Sequence, residues 1–178
     1  MKDEKKMSIK IYDNVLPENM FRNIRAHFTG PLFPWYFNEA VVYSDQKEFE
    51  SNLNFQFVHT LYRDNTVQSP SYDILQPLFT FINPFQIIKL KVNCNPYNDH
   101  IYESGMHVDI NPPKSTAVNT AIFYLNTNNG YTKIEKTGQK IESIENRLVV
   151  FDSKTMHSGS TTNDSKARFV INLNYIPR

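Results

Sequence analysis

The hydrophobic pattern of the chain changes period near residue 84. Leu16-Pro17-Glu18 opens a run in which Phe21, Ile24, Arg25 and Phe28 fall at helical spacing, and Gly30-Pro31 stops it. Ser71 to Phe81 predicts a second helix, with Leu75, Leu78, Phe79 and Ile82 on one stripe and Pro77 in its first turn or at a kink. Between them, Trp35 to Ser44 and Phe55 to Leu61 are aromatic and β-branched and read as extended. Beyond Pro84 no helical pattern recurs. Strands are predicted over 85–92, 107–110, 116–125, 131–135, 139–143, 147–151 and 168–176. Turn signals separate them, among them Asn111-Pro112-Pro113, Asn128-Asn129-Gly130, Thr137-Gly138 and Ser158-Gly159. Many short strands at close spacing predict a β-sandwich or barrel. The expected fold is mainly β with flanking helices. It is read as a single domain over 1–178, with N-terminal helices and supporting strands in 1–84 and the β core in 85–178.

Composition narrows the function classes. The 178 residues are 40% hydrophobic and 21% charged, an ordinary globular balance, and 13% aromatic, which reinforces the strand reading. Net charge is +1. The dense run Lys2-Asp3-Glu4-Lys5-Lys6 has mixed sign, so a nucleic-acid partner is not expected. Cys94 is the single cysteine, which excludes an internal disulfide, and it reads as a small buried hydrophobe on a strand. The charged start is not followed by an apolar run and no stretch reaches membrane-span length, so a cytoplasmic protein without a membrane partner is expected.

Three elements carry candidate chemistry. In His107-Val108-Asp109, side chains two apart on an extended segment share a face, so an imidazole and a carboxylate can reach one cation. Two histidines and one carboxylate suit non-heme Fe(II) and leave three coordination positions open. His157 follows the apolar run Leu148-Val149-Val150-Phe151 and is either the second imidazole or a polar loop histidine. Arg168 opens the last strand, where it alternates with Val170, Asn172 and Asn174 against Phe169, Ile171, Leu173 and Tyr175. An inward arginine there needs an anion, either an internal Asp or Glu or a bound dicarboxylate that its planar fork would grip. His27, His59 and His100 lack ligand spacing and are assigned to surface or packing.

His-x-Asp, a distal His and an Arg eleven residues after it resemble the 2-oxoglutarate/Fe(II) oxygenase superfamily. The likeness is to its prolyl 4-hydroxylase-like branch, and more narrowly to short oxygenases of marine phages. It is carried by Met106-His107-Val108-Asp109, Thr120 to Asn126, Asn129-Gly130-Tyr131-Thr132 and Arg168 to Tyr175. The resemblance implies a double-stranded β-helix, or jelly roll, with Fe(II) on His107, Asp109 and His157. It also implies 2-oxoglutarate as cosubstrate on Arg168, with O2 as oxidant. Tyr124 stands where a tyrosine hydrogen-bonds the same carboxylate in prolyl hydroxylases, or is a barrel-filling aromatic. Asn93 and Asn172 are further candidates to face the cosubstrate. The chain departs from the branch at Asn129-Gly130, usually two glycines, and at Asn93-Cys94-Asn95, where many members carry a tyrosine.

By analogy the expected reaction is hydroxylation of a protein or peptide side chain, prolyl first, with succinate and CO2 as coproducts. Related halogenases lack the carboxylate ligand, so Asp109 argues for hydroxylation. The alternatives are a nucleic-acid or small-molecule oxygenase of the same superfamily, a cupin-like metal enzyme without 2-oxoglutarate, and a non-catalytic jelly-roll binding module. Arg168 argues against the cupin, and the intact set of four residues against the binding module. Trp35, Tyr36, Tyr62, Arg63 and the loop 95–105 are candidates for contacting a substrate.

Overall fold

The computed structural model describes residues 9–41, 55–113 and 115–178. In chain order the elements are β1 (Lys10–Tyr12), α1 (Glu18–Thr29), β2 (Tyr36–Asn38), β3 (Gln56–Arg63) and β4 (Thr66–Val67). A 3-10 turn over Pro70–Leu75 runs into α2 (Gln76–Ile82), followed by β5 (Gln86–Pro96), β6 (Asn119–Tyr124) and β7 (Asn128–Ile134). A second 3-10 turn over Glu135–Thr137 leads to β8 (Lys140–Ser143), β9 (Leu148–Asp152), β10 (His157–Gly159) and β11 (Ala167–Ile176).

The larger sheet has the order β1-β9-β6-β11-β5-β3-β2, with β4 paired to β3, and the smaller sheet the order β10-β7-β8. The fold is mainly β with flanking helices, and its core is a double-stranded β-helix, or jelly roll. Period-two alternation explains both faces of the large sheet. On β11, Ile171, Leu173 and Tyr175 join Leu90, Val92, Ala121 and Phe123 in the cluster beneath the helices. The opposite face sends Val170 into a second cluster between the sheets, with Ile122, Tyr124, Ile134, Ile141, Val149 and Phe151. Arg168, Asn172 and Asn174 lie on that inner face too, and all are buried.

The predicted helical stripe of α1 buries Phe21, Ile24 and Phe28, each contributing roughly 1.5–3 kcal/mol of apolar transfer. Gly30 ends the helix where a Cβ would lie 2.7 Å from the Ala26 carbonyl oxygen. Pro77 sits in the first turn of α2, where its missing N–H leaves no hydrogen bond unmade. Asn146, at φ 60°, accepts from the Leu16 N–H at 3.0 Å and donates to the Leu16 carbonyl at 2.8 Å. This ties the entry to α1 onto the β core.

Four expectations change. The extended stretch Trp35 to Ser44 yields only β2, and residues 42–44 lie outside the described residues. Residues 107–110 form no regular strand. His107 makes one isolated bridge, to His157, and Asn111-Pro112-Pro113 follows, where the prolines have no N–H to continue a ladder. Asn128-Asn129-Gly130 is not a turn but the start of β7, where the register with β8 shifts between Asn128 and Tyr131, as at a β-bulge. Ser158-Gly159 likewise lies within β10, paired with Lys133 and Thr132.

Candidate active site

The segment before His107 reaches the small sheet through isolated bridges, Glu103 to Ser160 and His107 to His157. The His107 and His157 backbones exchange two hydrogen bonds, at 2.9 and 3.0 Å. That reciprocal pairing brings two histidines distant in sequence to a ring separation of 4.7 Å. Each Nδ1 faces a carbonyl oxygen, His107 that of Gly105 at 3.0 Å and His157 that of Thr155 at 2.9 Å. A carbonyl only accepts, so both Nδ1 atoms donate and each Nε2 keeps its lone pair for a cation. Burial, and then the neighbouring His157, pushes the His107 pKa down, which favours the neutral ligand form.

Asp109 joins this pair. One ligand atom from each of His107, Asp109 and His157 lies within 4.8 Å of the others, and the Asp109 Oδ2 to His157 Nε2 distance is 3.6 Å. The Asp109 side chain is 3% exposed. Its Oδ2 accepts from Asn172 Nδ2 at 3.0 Å and Thr120 Oγ1 at 3.4 Å. Asn174 Nδ2 supports the same oxygen at 3.5 Å and bonds Thr120 at 2.9 Å. Burial pushes the Asp109 pKa up, but His157, Lys91 and the Asn172 hydrogen bond outweigh it and hold the group down at about 2. Two imidazoles and an ionised, oriented carboxylate are a donor set that fits a non-heme Fe(II) ion with open positions.

Arg168 lies in the same cavity, 2% exposed. Its Nε donates to Ser143 Oγ at 2.7 Å and its Nη2 to Thr132 Oγ1 at 3.0 Å. Its guanidinium stands 5.4 Å from the Tyr124 ring centroid, and Tyr124 Oη donates to the same Thr132 hydroxyl at 2.8 Å. Among the described residues no carboxylate pairs with this arginine. Burial pushes its pKa down. A buried guanidinium satisfied only by neutral hydroxyls fits an incoming carboxylate. Gly130 opens the way for the side chain: a Cβ there would lie 2.7 Å from Arg168 Cδ.

The remaining sequence candidates divide. Tyr124 is fully buried beside Arg168. Asn93 lines the cavity with a buried Oδ1 that has no hydrogen-bond partner. Asn172 commits its amide nitrogen to Asp109, not to the Arg168 end. Cys94 is buried on β5, as expected. His59 is packed against Phe33 and faces the Pro34 carbonyl, and His27 faces Ser71. Sequence reading missed Thr120, Asn174, Thr132, Ser143 and Lys91. Asn174 was detectable by strand alternation, since it shares the inner face of β11 with Arg168 and Asn172. Ser143 carried no such signal, because β8 meets Arg168 only across the two sheets.

Residues 92–176 match the family model of the 2OG-Fe(II) oxygenase superfamily, and this C-terminal half of the chain belongs to that superfamily. The chain is thus an oxygenase domain, and the family's reaction uses Fe(II), 2-oxoglutarate and O2. No curated protein matches the sequence. Among solved structures, a 2OG-Fe(II) oxygenase family oxidoreductase from Burkholderia pseudomallei is similar at TM-score 0.66 and 12% identity, over 97% of this chain and 86% of that one. A prolyl hydroxylase from Trichoplax adhaerens, in complex with a hypoxia inducible factor oxygen degradation domain peptide fragment, is similar at TM-score 0.62 and 15% identity, over 94% and 83%. A viral collagen prolyl hydroxylase from Paramecium Bursaria Chlorella virus-1, as a 2OG complex, is similar at TM-score 0.58 and 14% identity, over 96% of each chain. At such identities the likeness is one of fold. No helix among the described residues is long and apolar enough to cross a membrane.

Proposed function

We propose that the chain hydroxylates a protein or peptide side chain, in the manner of a prolyl hydroxylase, with His107, Asp109 and His157 holding Fe(II) and Arg168 holding the distal carboxylate of 2-oxoglutarate. One observation carries the assignment. A buried arginine without an acidic partner shares a small cavity with three convergent metal-ligating side chains. Bound iron and 2-oxoglutarate would together activate O2, one oxygen atom of which would convert C–H to C–OH and the other enter succinate as CO2 leaves. The protein would supply orientation and a dry wall. Thr120 and Asn172 fix Asp109, Thr132 and Ser143 aim Arg168, and Ile122 and Val170 present apolar surface to the cavity. Tyr124 would lie against the carboxylate held by Arg168, and Asn93 would offer its free Oδ1 along the same wall. Residues 1–84 would serve as support for the core in 85–178 within one domain.

The peptide reading is supported by the branch resemblance and by two similar structures that are prolyl hydroxylases, one holding a peptide. The test is anaerobic addition of Fe(II) and 2-oxoglutarate. A weak visible charge-transfer band should form in the wild type and be absent in Arg168→Ala and His107→Ala. A peptide-library screen by mass spectrometry, scoring a gain of one oxygen atom, then addresses the substrate. A silent band in the wild type would sink the assignment.

A further inference from the structure

Lys91 lines the same cavity as His107, Asp109, His157 and Arg168. Strand alternation puts it there. On β5, Leu90 and Val92 face the core beneath the helices, so Lys91 and Asn93 face the inner side. Lys91 pairs in register with Asn172, whose amide holds Asp109, whereas Arg168 pairs with Asn95. The backbone positions of the two cationic residues thus lie four strand positions apart along the sheet, or roughly 13 Å.

Lys91 is half-buried and, among the described residues, makes no ion pair. Burial pushes its pKa down against the pull of Asp109, as for an ammonium short of an anion. Among the described residues, the cavity wall carries two cationic side chains, Lys91 and Arg168, and one carboxylate, Asp109. On the proposed assignment, Fe(II) and the 2-oxoglutarate dianion cancel each other's charge, so among the described groups one positive charge is left unmatched. A five-carbon dicarboxylate held by both the metal and Arg168 would take up the Arg168 side of the cluster. The Lys91 side is then left for the molecule to be oxidised.

We infer that Lys91 is a specificity-determining residue that grips a carboxylate on the substrate, close to the carbon that is oxidised. The inference rests on the functional assignment above. A lysine at this point selects an acid over its amide, because a carboxylate restores the ammonium's lost solvation and an amide restores less of it.

The test uses the protein loaded anaerobically with Fe(II) and 2-oxoglutarate, and reads probe binding as a change in the visible charge-transfer band. Two matched probe pairs separate the sources of the carboxylate. One is acetyl-Ala-Pro-Asp-Ala-amide against its asparagine counterpart, for an acidic side chain. The other is N-acetylproline against N-acetylprolinamide, for a free acid. The acid of at least one pair should bind about tenfold more tightly than its amide. That ratio should collapse to near one in Lys91→Met, persist in Lys91→Arg and in Lys89→Met, and fall below one in Lys91→Glu. Equal binding of acid and amide in the wild type, no response to any probe, or a ratio unchanged in Lys91→Met would overturn the inference. So would a Lys91→Met protein that loses affinity for 2-oxoglutarate while keeping the probe ratio, since Lys91 would then serve the cosubstrate. Failure of the band to form in the wild type before any probe is added would instead remove the assignment on which the inference stands.

Discussion

Gly130 packs directly against Arg168: a methyl group at Gly130 would lie 2.7 Å from the arginine Cδ, and equally close to the Thr161 carbonyl oxygen. The backbone of β7 thus limits where the guanidinium can go. Gly130→Ala should displace Arg168 and raise the KM for 2-oxoglutarate by at least about tenfold, with a smaller change in kcat. Overpacking of this kind costs about 1–3 kcal/mol, so thermal unfolding should also move down by several degrees. Steady-state kinetics and a melting curve check both. An unchanged KM would separate Gly130 from the arginine's placement.

Arg168 carries a desolvation cost that its hydroxyl partners offset only in part. Arg168→Met should therefore leave the ligand-free protein at least as stable as the wild type, while abolishing the rise in melting temperature on adding 2-oxoglutarate. Arg168→Lys should recover a minor part of that rise, because an ammonium lacks the planar fork. Differential scanning fluorimetry with and without 2-oxoglutarate reads both effects.

Asn172 should act on the metal through Asp109. Loss of its 3.0 Å hydrogen bond in Asn172→Ala should weaken Mn(II) binding about tenfold or more, measured by paramagnetic resonance of the free ion. Near-wild-type Mn(II) affinity would mean that Thr120 and Asn174 suffice to hold the carboxylate.

The depressed pKa of Asp109 makes a pH prediction. The folded value, about 2, lies below the ordinary value of 3.8. Its contribution is thus complete above pH 4 and is lost as pH falls from there through 2. The difference corresponds to about 2 kcal/mol. Urea unfolding of the metal-free protein between pH 5 and pH 2 should show a loss of that order in the wild type beyond the loss in Asp109→Asn. Parallel pH profiles for the two proteins would contradict it.

Burial pushes the Cys94 thiol up to about 12, so almost no thiolate exists near neutrality. Iodoacetamide at pH 8 should label the folded protein very slowly and the urea-unfolded protein fast. Rapid labelling of the folded chain would mean that β5 opens locally.

The chain's own pattern revealed one side of the site better than the other. His107 and Asp109 were detectable because they stand two apart, and Arg168 because it is a charge on the inner face of an otherwise apolar or amide-bearing strand. What no linear pattern encodes is cross-sheet proximity. Ser143 and Thr132 reach Arg168 from the small sheet, and Lys91 becomes part of the site only once β5 lies beside β11 in register. Local turn chemistry misled at Asn128-Asn129-Gly130 and Ser158-Gly159. There small, flexible residues serve close packing at a bulge and beside Arg168, not chain reversal. The N-terminal helices were detectable from their stripes alone, since each buries a single face.

The single rung between His107 and His157 also has a mechanical consequence. Apart from the bridges at Tyr97, Glu103 and His107, the stretch from β5 to β6 has no regular pairing among the described residues. A cation gripped by both imidazoles and by Asp109 would close a long chain loop at that rung, as a fastener does, and would remove much of its opening entropy. Metal loading should therefore slow amide hydrogen exchange across 97–110 far more than in the central strands. The same atoms proposed to prepare the oxidation would then also keep the mouth of the barrel shut.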